Sequence, residues 1–234
     1  MYKRQDKYII TELDHLRRKP DWNKRWREAI VEVAVGHPTV FKKYPRSSGN
    51  LIHHAYHISE FEEKTGVKVD NVDLVFEFGG GYGSMCRLFH NLHFNGRYVI
   101  FDFPHLTSLQ TYFLRSIGIP VYPFDRVGLE TSGVVCISKL EELKNILNTS
   151  MDKSNSLFIA TWSISETPWD FRNLILSLVS QFNSFMIAYQ DNFGEADNIK
   201  YFQAYKRDTE HGIKWSHWKI GHLPGNNYLM GIRA

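Results

Sequence analysis

The first 70 residues carry apolar side chains at spacings of three and four, which is typical of amphipathic helices. Pro20 ends the first stretch, Gly36 ends the second, and the third runs from about Leu51 to Lys64. We therefore predict that residues 1–70 form a helical extension ahead of the rest of the fold. The apolar positions that carry the spacing are Ile9, Leu13, Leu16, Trp22, Trp26, Ala29, Val33, Leu51, Ala55, Ile58 and Phe61.

The pattern changes after residue 70. Short apolar runs that are typical of buried strands alternate with helical spacing, which predicts an α/β domain over residues 71–234. The last two runs, 213–222 and 228–232, are joined by the turn-forming residues L-P-G-N-N, so they must pair antiparallel. The third strand could be either 119–124 or 134–137. We expect a Rossmann-like, mostly parallel seven-stranded sheet that ends in an antiparallel hairpin.

The run V-D-L-V-F-E-F-G-G-G-Y-G, residues 72–83, ends a predicted strand in a carboxylate and a glycine turn. Helical spacing resumes directly after the turn, so backbone N–H groups and a helix dipole can meet a polar ligand there. A dinucleotide fingerprint G-x-G-x-x-G that starts at Gly79 would need a glycine where the chain has Ser84. The spacing is instead E-x-G-x-G-x-G, at Glu77, Gly79, Gly81 and Gly83.

This spacing resembles the first motif of the class I S-adenosyl-L-methionine (SAM) methyltransferases, in which the strand-terminal carboxylate helps to hold the methionine part of the cofactor. A second apolar run ends in Asp102, 25 residues after Glu77. A strand-terminal acid about 20 residues past such glycines is where a ribose diol is held. The resemblance also implies that Phe103 lies against the adenine ring. Thr161, which ends the predicted fourth strand, is expected at the same edge of the sheet.

Three histidines lie on the third predicted helix. His54 shares the apolar face of Leu51 and Ile58, so we expect a hydrogen-bonded histidine at the edge of the core. His53 and His57 are four residues apart on a face with charged residues, where they could in principle chelate a metal. Because no third ligand follows at a fixed spacing, a solvent-facing position is the favoured interpretation for both.

The methyl acceptor is expected beside the ends of the fourth and fifth strands, because open α/β sheets bind ligands there. Three residues near these ends are candidates for catalysis. Glu166 could be a base or an acceptor clamp, or could stabilise a helix N-terminus. Asp191 with Asn192 resembles the pair of magnesium-dependent O-methyltransferases, but Thr161 stands where that pattern has an aspartate, which argues against a metal. His222 could be a base, although a surface position is favoured.

Several longer segments are similar to a family of sugar O-methyltransferases from bacterial glycan and natural-product pathways. The segments are E-F-G-G-G-Y-G, Y-V-I-F-D-F-P-H-L, L-F-I-A-T-W-S-I-S-E-T-P and G-N-N-Y-L-M-G, and the similarity covers about residues 50–234. It implies SAM-dependent methylation of a hydroxyl of a sugar or a glycan-pathway intermediate. In SAM methyltransferases with a helical N-terminal extension, the extension commonly covers the active site, so a histidine of residues 1–70 could contact the acceptor.

Two other functions stay open on the sequence alone. One is the same fold acting on another small molecule with an oxygen or nitrogen acceptor. The other is a nicotinamide-dependent oxidoreductase, or a nucleotide-binding module without catalysis. Calorimetry with S-adenosylhomocysteine and NAD would separate these classes.

Composition and charge limit the partners and the cellular location that we expect. The net charge is only +3, but residues 1–50 hold 12 Lys and Arg against 6 Asp and Glu, which could attract phosphates or an anionic surface. A solvated helix face is the favoured interpretation of that excess. The sequence has no run of about 20 apolar residues, and Cys86 and Cys136 lack metal-ligand spacing. We expect a cytoplasmic protein with a small-molecule or saccharide substrate and no nucleic-acid partner.

Overall fold

The computed structural model of the chain describes residues 2–126, 132–148 and 153–234. The helices in these ranges are α1 (Tyr2–Arg17), α2 (Arg27–Ala29), α3 (Gly49–Thr65), α4 (Ser84–Asn91), α5 (Pro104–Ser116), α6 (Leu140–Asn148), α7 (Trp169–Leu178) and α8 (Asn198–Thr209). The strands are β1 (Val40–Phe41), β2 (Tyr44–Ser48), β3 (Leu74–Phe78), β4 (Arg97–Phe101), β5 (Val121–Tyr122), β6 (Gly133–Ile137), β7 (Ser156–Thr161), β8 (Ser184–Gln190), β9 (Asn192–Phe193), β10 (Ala196–Asp197), β11 (Ile213–Lys219) and β12 (Asn226–Arg233). Every helix in the described ranges falls short of the length and apolar character needed to cross a bilayer.

The main sheet has the strand order β11-β12-β8-β7-β3-β4-β6-β5. Its pairs from β5 to β8 are parallel, and β12 and β11 are added antiparallel. The expected α/β fold with a C-terminal antiparallel hairpin is thus confirmed. The expected count of seven strands is wrong, because both candidate third strands pair: β6 with β4, and β5 with the outer edge of β6. β5 is only two residues long because Pro120 and Pro123 flank it and cannot donate ladder hydrogen bonds.

The connections change direction at β3. From β3 the chain proceeds to β4 on one side, and it later returns to place β7 on the other side. In open α/β sheets such a switch point leaves a crevice at the carboxyl ends of the two strands. Gly79 follows β3 and Thr161 ends β7, so both lie at this crevice.

Successive strand residues face opposite sides of the sheet, and each side has its own buried cluster. On one side Leu74 and Phe76 pack with apolar residues of α6, α7 and α8. On the other side Val75 belongs to the same cluster as Leu13 of α1 and Ile58 of α3. The N-terminal segment therefore shares a hydrophobic core with the sheet.

The N-terminal segment is less helical than the spacing predicts. The second expected helix shrinks to a π-helical turn, Trp22–Trp26, followed by the three residues of α2, and β1 and β2 form a short antiparallel hairpin. The hairpin ends at Ser48, whose Oγ accepts the N–H of Leu51 at 3.1 Å and caps α3. Because of this cap, α3 begins two residues before the predicted start.

Candidate functional site

A cavity of about 390 Å³ opens at the carboxyl ends of β3 and β7. Small-molecule sites commonly have volumes of about 300–1,000 Å³. The glycine turn forms one wall, and the first two turns of α3 form the opposite one. The lining includes Glu77, Gly79, Gly81, Thr161, His53 and Trp162. The first four of these are residues that the sequence predicts to bind a cofactor.

Glu77 lies at the floor of the cavity and is 2 % exposed. The Tyr98 hydroxyl donates to its Oε2 at 2.9 Å. Burial raises the pKa of Glu77 to about 7, although the hydrogen bond from Tyr98 lowers it, and the charge of Asp102 adds to the rise. Among the described residues Glu77 has no cationic partner, so a positively charged ligand group would stabilise its ionised form.

Two glycines of the turn have left-handed backbones for different reasons. Gly79 has φ +77°, and a Cβ there would overlap the side chain of Ser163. Gly81 has φ +57°, and a Cβ there would meet no atom within 4 Å. Gly79 therefore allows the strand end to pack, whereas Gly81 leaves its backbone open to the cavity.

Gly83, Asp102 and Phe103 are outside the cavity lining. Gly83 precedes α4 with φ +95°, and a Cβ there would press on Leu114 of α5. The Phe103 ring is 68 % exposed and lies nearly parallel to the ring of His105, 5.8 Å away. Phe103 thus offers a large open ring face beside Asp102.

The Asp102 carboxylate fixes the glycine turn. It accepts the N–H of Gly81 at 3.2 Å, the N–H of Phe103 at 2.8 Å and the Gln110 side-chain amide at 3.0 Å. Gln110 also donates to the Gly81 carbonyl at 2.9 Å. A carboxylate has about four acceptor sites, so about one stays free for a ligand. Gln110 was not predicted, because nothing in the sequence marks a glutamine two turns into α5.

Two polar atoms in the cavity wall lack partners. Ser84 Oγ and His54 Nδ1 are both buried, and neither has a hydrogen-bond partner among the residues that the structure describes. An unsatisfied buried polar group costs about 1–3 kcal/mol. Among the described residues His54 makes no hydrogen bond, so the one expected for it is absent. Burial together with nearby His53 lowers the pKa of His54 to about 3, so His54 and Ser84 form a polar but uncharged part of the lining.

The three residues predicted for catalysis are elsewhere. Glu166 is exposed on the short helical turn after β7. Asp191 accepts the side-chain amide of Asn227 at 2.7 Å and so joins β12 to the end of β8. His222 is partly buried, with its Nε2 2.9 Å from Glu12 Oε1. None of the three lines the cavity.

The solvent-facing positions expected for His53 and His57 are wrong. His57 is fully buried and hydrogen-bonds through Nδ1 to the hydroxyl of Tyr228. The side chain of His53 is 14 % exposed, and its Nδ1 lies 2.7 Å from Oε1 of Glu12. The physical reason is that Tyr8 and Glu12 of α1 cover His53. Tyr228 of β12 and the Trp162 ring cover His57.

Trp162 is a site residue that the sequence analysis missed. Its φ of 65° is unusual for a bulky side chain and indicates backbone strain. Its N–H donates to the Ala188 carbonyl at 2.7 Å, and its indole N–H donates to Asn226 at 2.6 Å. Its ring stacks on His53, with centroids 5.3 Å apart and planes 26° apart. Trp162 therefore holds the His53 ring against the cavity.

No family model matches the chain, and no curated protein is similar to it at a significant level. Among solved structures, the chain is similar to the N-terminal domain of human METTL16 in complex with SAH, with a TM-score of 0.51 and 10% identity over 89% of this chain and 77% of that one. It is also similar to precorrin-6y C5,15-methyltransferase from Geobacter metallireducens GS-15, with a TM-score of 0.50 and 11% identity over 86% and 96%. These similarities establish the fold, which is the Rossmann-like fold of class I methyltransferases.

Proposed function

We propose that the chain is a SAM-dependent methyltransferase that transfers a methyl group to a hydroxyl of a sugar or a glycan-pathway intermediate. The observation that carries the proposal is the cavity at the sheet switch point. It is lined by Glu77, buried without a cationic partner among the described residues, and by Gly81, beside which a side chain would find open space. The fold supports it, and the similar METTL16 structure is a complex with SAH.

In this proposal Glu77 pairs with the ammonium of the methionine part, which gives its buried carboxylate the missing countercharge. The open backbone at Gly81 lets the cofactor approach closely. Asp102 offers its remaining acceptor position to the ribose, and the exposed ring of Phe103 covers the adenine. Thr161, which ends β7 and lines the cavity, would contact the bound cofactor.

SAM supplies an electrophilic methyl group on a sulfonium when it is bound. The chain must then align the acceptor oxygen, exclude water and accept the hydroxyl proton. The N-terminal extension is suited to these tasks, because Asn50 and His53 of α3 form the wall opposite the glycine turn. We propose that residues 1–70 cover the active site in this way.

The chemistry of the cavity lining as a whole favours a saccharide. Tyr82 and Trp162 provide ring faces on which the C–H face of a sugar can pack, and Asn50 and His53 provide hydrogen-bonding groups for its hydroxyls. The four segments noted as resembling sugar O-methyltransferases imply the same acceptor class, although no family model matches the chain. Glu166 and Asp191 stay candidates for addressing the parts of an acceptor that extend beyond the cavity.

The cofactor assignment is tested by isothermal titration calorimetry. We expect saturable binding of S-adenosylhomocysteine and no heat with NAD. Binding of NAD without S-adenosylhomocysteine would replace the proposal by an oxidoreductase or a nucleotide-binding module.

The acceptor is tested separately with methyl-labelled SAM. The candidates are free hexoses, methyl glycosides and nucleotide sugars, with catechols and primary amines as the other classes. We expect label in an alkali-stable ether of a saccharide. Label only in amines would keep the methyltransferase and remove the hydroxyl acceptor.

A further inference from the structure

A buried carboxylate lies directly behind the cavity wall. The Glu12 side chain, on α1, has no exposed surface. Its Oε1 lies 2.7 Å from His53 Nδ1 and 2.9 Å from His222 Nε2, while its Oε2 is buried without a partner. Burial acts to raise the pKa of Glu12, but the hydrogen bonds from His222 and His53 outweigh it and hold the pKa below its usual value. Glu12 is therefore an anion held by two imidazoles.

His53 connects this carboxylate to the cavity. Its Nδ1 faces Glu12, its ring stacks on Trp162, and the same side chain lines the cavity together with Glu77 and Gly81. Its Nε2 has no hydrogen-bond partner in the part of the chain that the structure describes. A neutral imidazole that donates its Nδ1–H to a carboxylate carries its lone pair on Nε2. His53 Nε2 is therefore the nitrogen that can take a proton from a methyl acceptor.

The Glu12 carboxylate can stabilise a positive charge that develops on His53. Within the described residues, the two imidazoles are the only hydrogen-bond or ion-pair partners of the Glu12 carboxylate. The adjacent His57 ring is 4.1 Å from that of His53, and burial lowers the pKa of His57 well below its usual value, so it stays neutral. An imidazolium that forms when His53 accepts a proton would therefore lie against this buried carboxylate.

We propose that His53 is the general base of the methyl transfer and that Glu12 is its positioning residue, an inference that rests on the proposed function. The acceptor hydroxyl gives its proton to His53 Nε2, and the electron pair of the O–H bond stays on oxygen. That oxygen forms the new bond to the methyl carbon, and the pair of the broken carbon–sulfur bond stays on sulfur. Glu12 holds the ring with Nδ1–H toward itself and stabilises the imidazolium, as the acid of a catalytic triad does.

The other basic groups near the cavity are less suited to this role. Glu77 lies under the turn, where a Cβ on Gly80 would come within 3.1 Å of its Oε2, and it is assigned to the cofactor. His54 lines the cavity, but in the described part of the chain no carboxylate hydrogen-bonds to it and its Nδ1 has no partner. His53 combines access to the cavity with an orienting carboxylate.

The first experiment replaces His53 by alanine and measures turnover on the saccharide acceptor found with labelled SAM. Loss of a general base lowers kcat by about 10²–10⁴-fold. We expect that loss with unchanged affinity for S-adenosylhomocysteine, and partial recovery of kcat on addition of free imidazole. His211→Gln, which changes an exposed histidine before β11, is the control and should keep wild-type turnover. Full activity of His53→Ala would overturn the proposal while leaving the methyltransferase intact.

The second experiment needs no acceptor. In the complex with S-adenosylhomocysteine, ¹⁵N NMR of labelled histidine should show His53 neutral with its proton on Nδ1, and Glu12→Gln should abolish that preference. An Nε2-protonated His53 in the wild-type complex would overturn the proposal. Absence of S-adenosylhomocysteine binding would instead remove the proposed function itself. Where Glu12→Gln does not fold, imidazole rescue of His53→Ala decides the role of the base.

Discussion

The two walls of the cavity are built in opposite ways. The wall proposed for the cofactor comes from one stretch of chain, Glu77 to Gly83, fixed by Asp102 on the neighbouring strand. The wall proposed for the acceptor contains His53, and Glu12 and His222, which lie behind it, come from distant parts of the chain. The comparison shows that a local turn can be identified from spacing alone, whereas a buried polar cluster exists only after helices and sheet have packed.

One ion pair and a series of hydrogen bonds connect the two walls. Arg87, one turn after the glycines, is 2 % exposed and lies 2.6 Å from Glu32, and it also donates to the Val31 carbonyl. Glu32 in turn accepts the Ser48 hydroxyl at 2.5 Å, and Ser48 caps the helix that carries His53. The position of the acceptor wall therefore depends on the helix that follows the cofactor turn.

Removing the Arg87–Glu32 ion pair should have the largest effect on stability. Arg87→Ala leaves the Glu32 carboxylate buried without its partner, which costs about 3–5 kcal/mol of the free energy of unfolding. Urea denaturation measures this loss. Arg207→Ala, which removes an exposed pair 3.2 Å from Asp208, is the matched control and should cost less than about 1 kcal/mol. Equal losses of stability in the two variants would show that the Arg87–Glu32 pair does not stabilise the connection between the walls.

The next largest effect distinguishes the two glycines of the cofactor wall. Gly79 is needed for close packing against Ser163, and Gly81 is needed for close approach of a ligand. Gly79→Ala combines an overlap with Ser163 and a left-handed backbone, so we expect a loss of stability of about 3 kcal/mol. Gly81→Ala has only the backbone strain, about 1–2 kcal/mol, but its methyl group projects into the cavity. Thermal unfolding should therefore show that Gly79→Ala is the less stable variant. Calorimetry should show that Gly81→Ala is folded but binds S-adenosylhomocysteine more weakly than the wild type. The reverse ranking would contradict the assigned roles.

A smaller effect concerns the charge of Glu77. Its pKa is raised from the usual 4.5 to about 7, so its protonated form predominates below pH 7 in the free protein and ligand-ammonium pairing weakens there. We expect affinity for S-adenosylhomocysteine to fall as the pH drops below 7, with proton release on binding near neutrality. Glu77→Gln should weaken binding by about tenfold at pH 8, or about 1.4 kcal/mol, and remove the pH dependence.

The same pKa predicts the stability of the free protein. Because the folded state holds the proton more tightly than the unfolded state, the stability contributed by Glu77 is lost as the pH rises from 4.5 through 7. Glu77→Gln should therefore be more stable than the wild type at pH 8 and equal to it at pH 4. Denaturation curves at the two pH values measure this, and a variant that is less stable at pH 8 would contradict the assignment.

The smallest effect concerns the same titration of Glu77. The Tyr98 hydrogen bond lowers the pKa of Glu77, so Tyr98→Phe should raise that pKa further. The pH at which S-adenosylhomocysteine affinity declines should move upward by less than about one unit, which corresponds to a hydrogen bond worth about 1 kcal/mol. Calorimetry over a pH series measures the shift, and a downward shift would exclude this role of the hydroxyl.

The comparison also explains what the sequence could predict. The glycine turn, the strand that ends in Asp102 and the antiparallel hairpin depend on local spacing, and the structure contains all three. Helical spacing likewise shows which residues of α3 share a face, but it does not show what covers that face. His53 looked solvent-facing because its cover comes from α1, more than 30 residues earlier. His57 looked so because its cover includes Tyr228 of β12, 171 residues later.

Small departures from the prediction have similar causes. The two residues of β5 form a strand only because the edge of β6 is available to them. Gln110 becomes important because α5 lies against the glycine turn and brings its amide to Gly81 and Asp102. In each case the deciding partner belongs to another element, so the spacing around the residue itself carries no signal.

The contact between Trp162 and His53 gives the protein an optical reporter. A protonated imidazole stacked on an indole quenches its fluorescence, whereas a neutral one does so far less. Trp162 is one of six tryptophans, so its emission is obtained as the difference between the wild type and Trp162→Phe. Stopped-flow emission could thus follow the filling of the cavity and the arrival of a proton on His53 in real time, without a label.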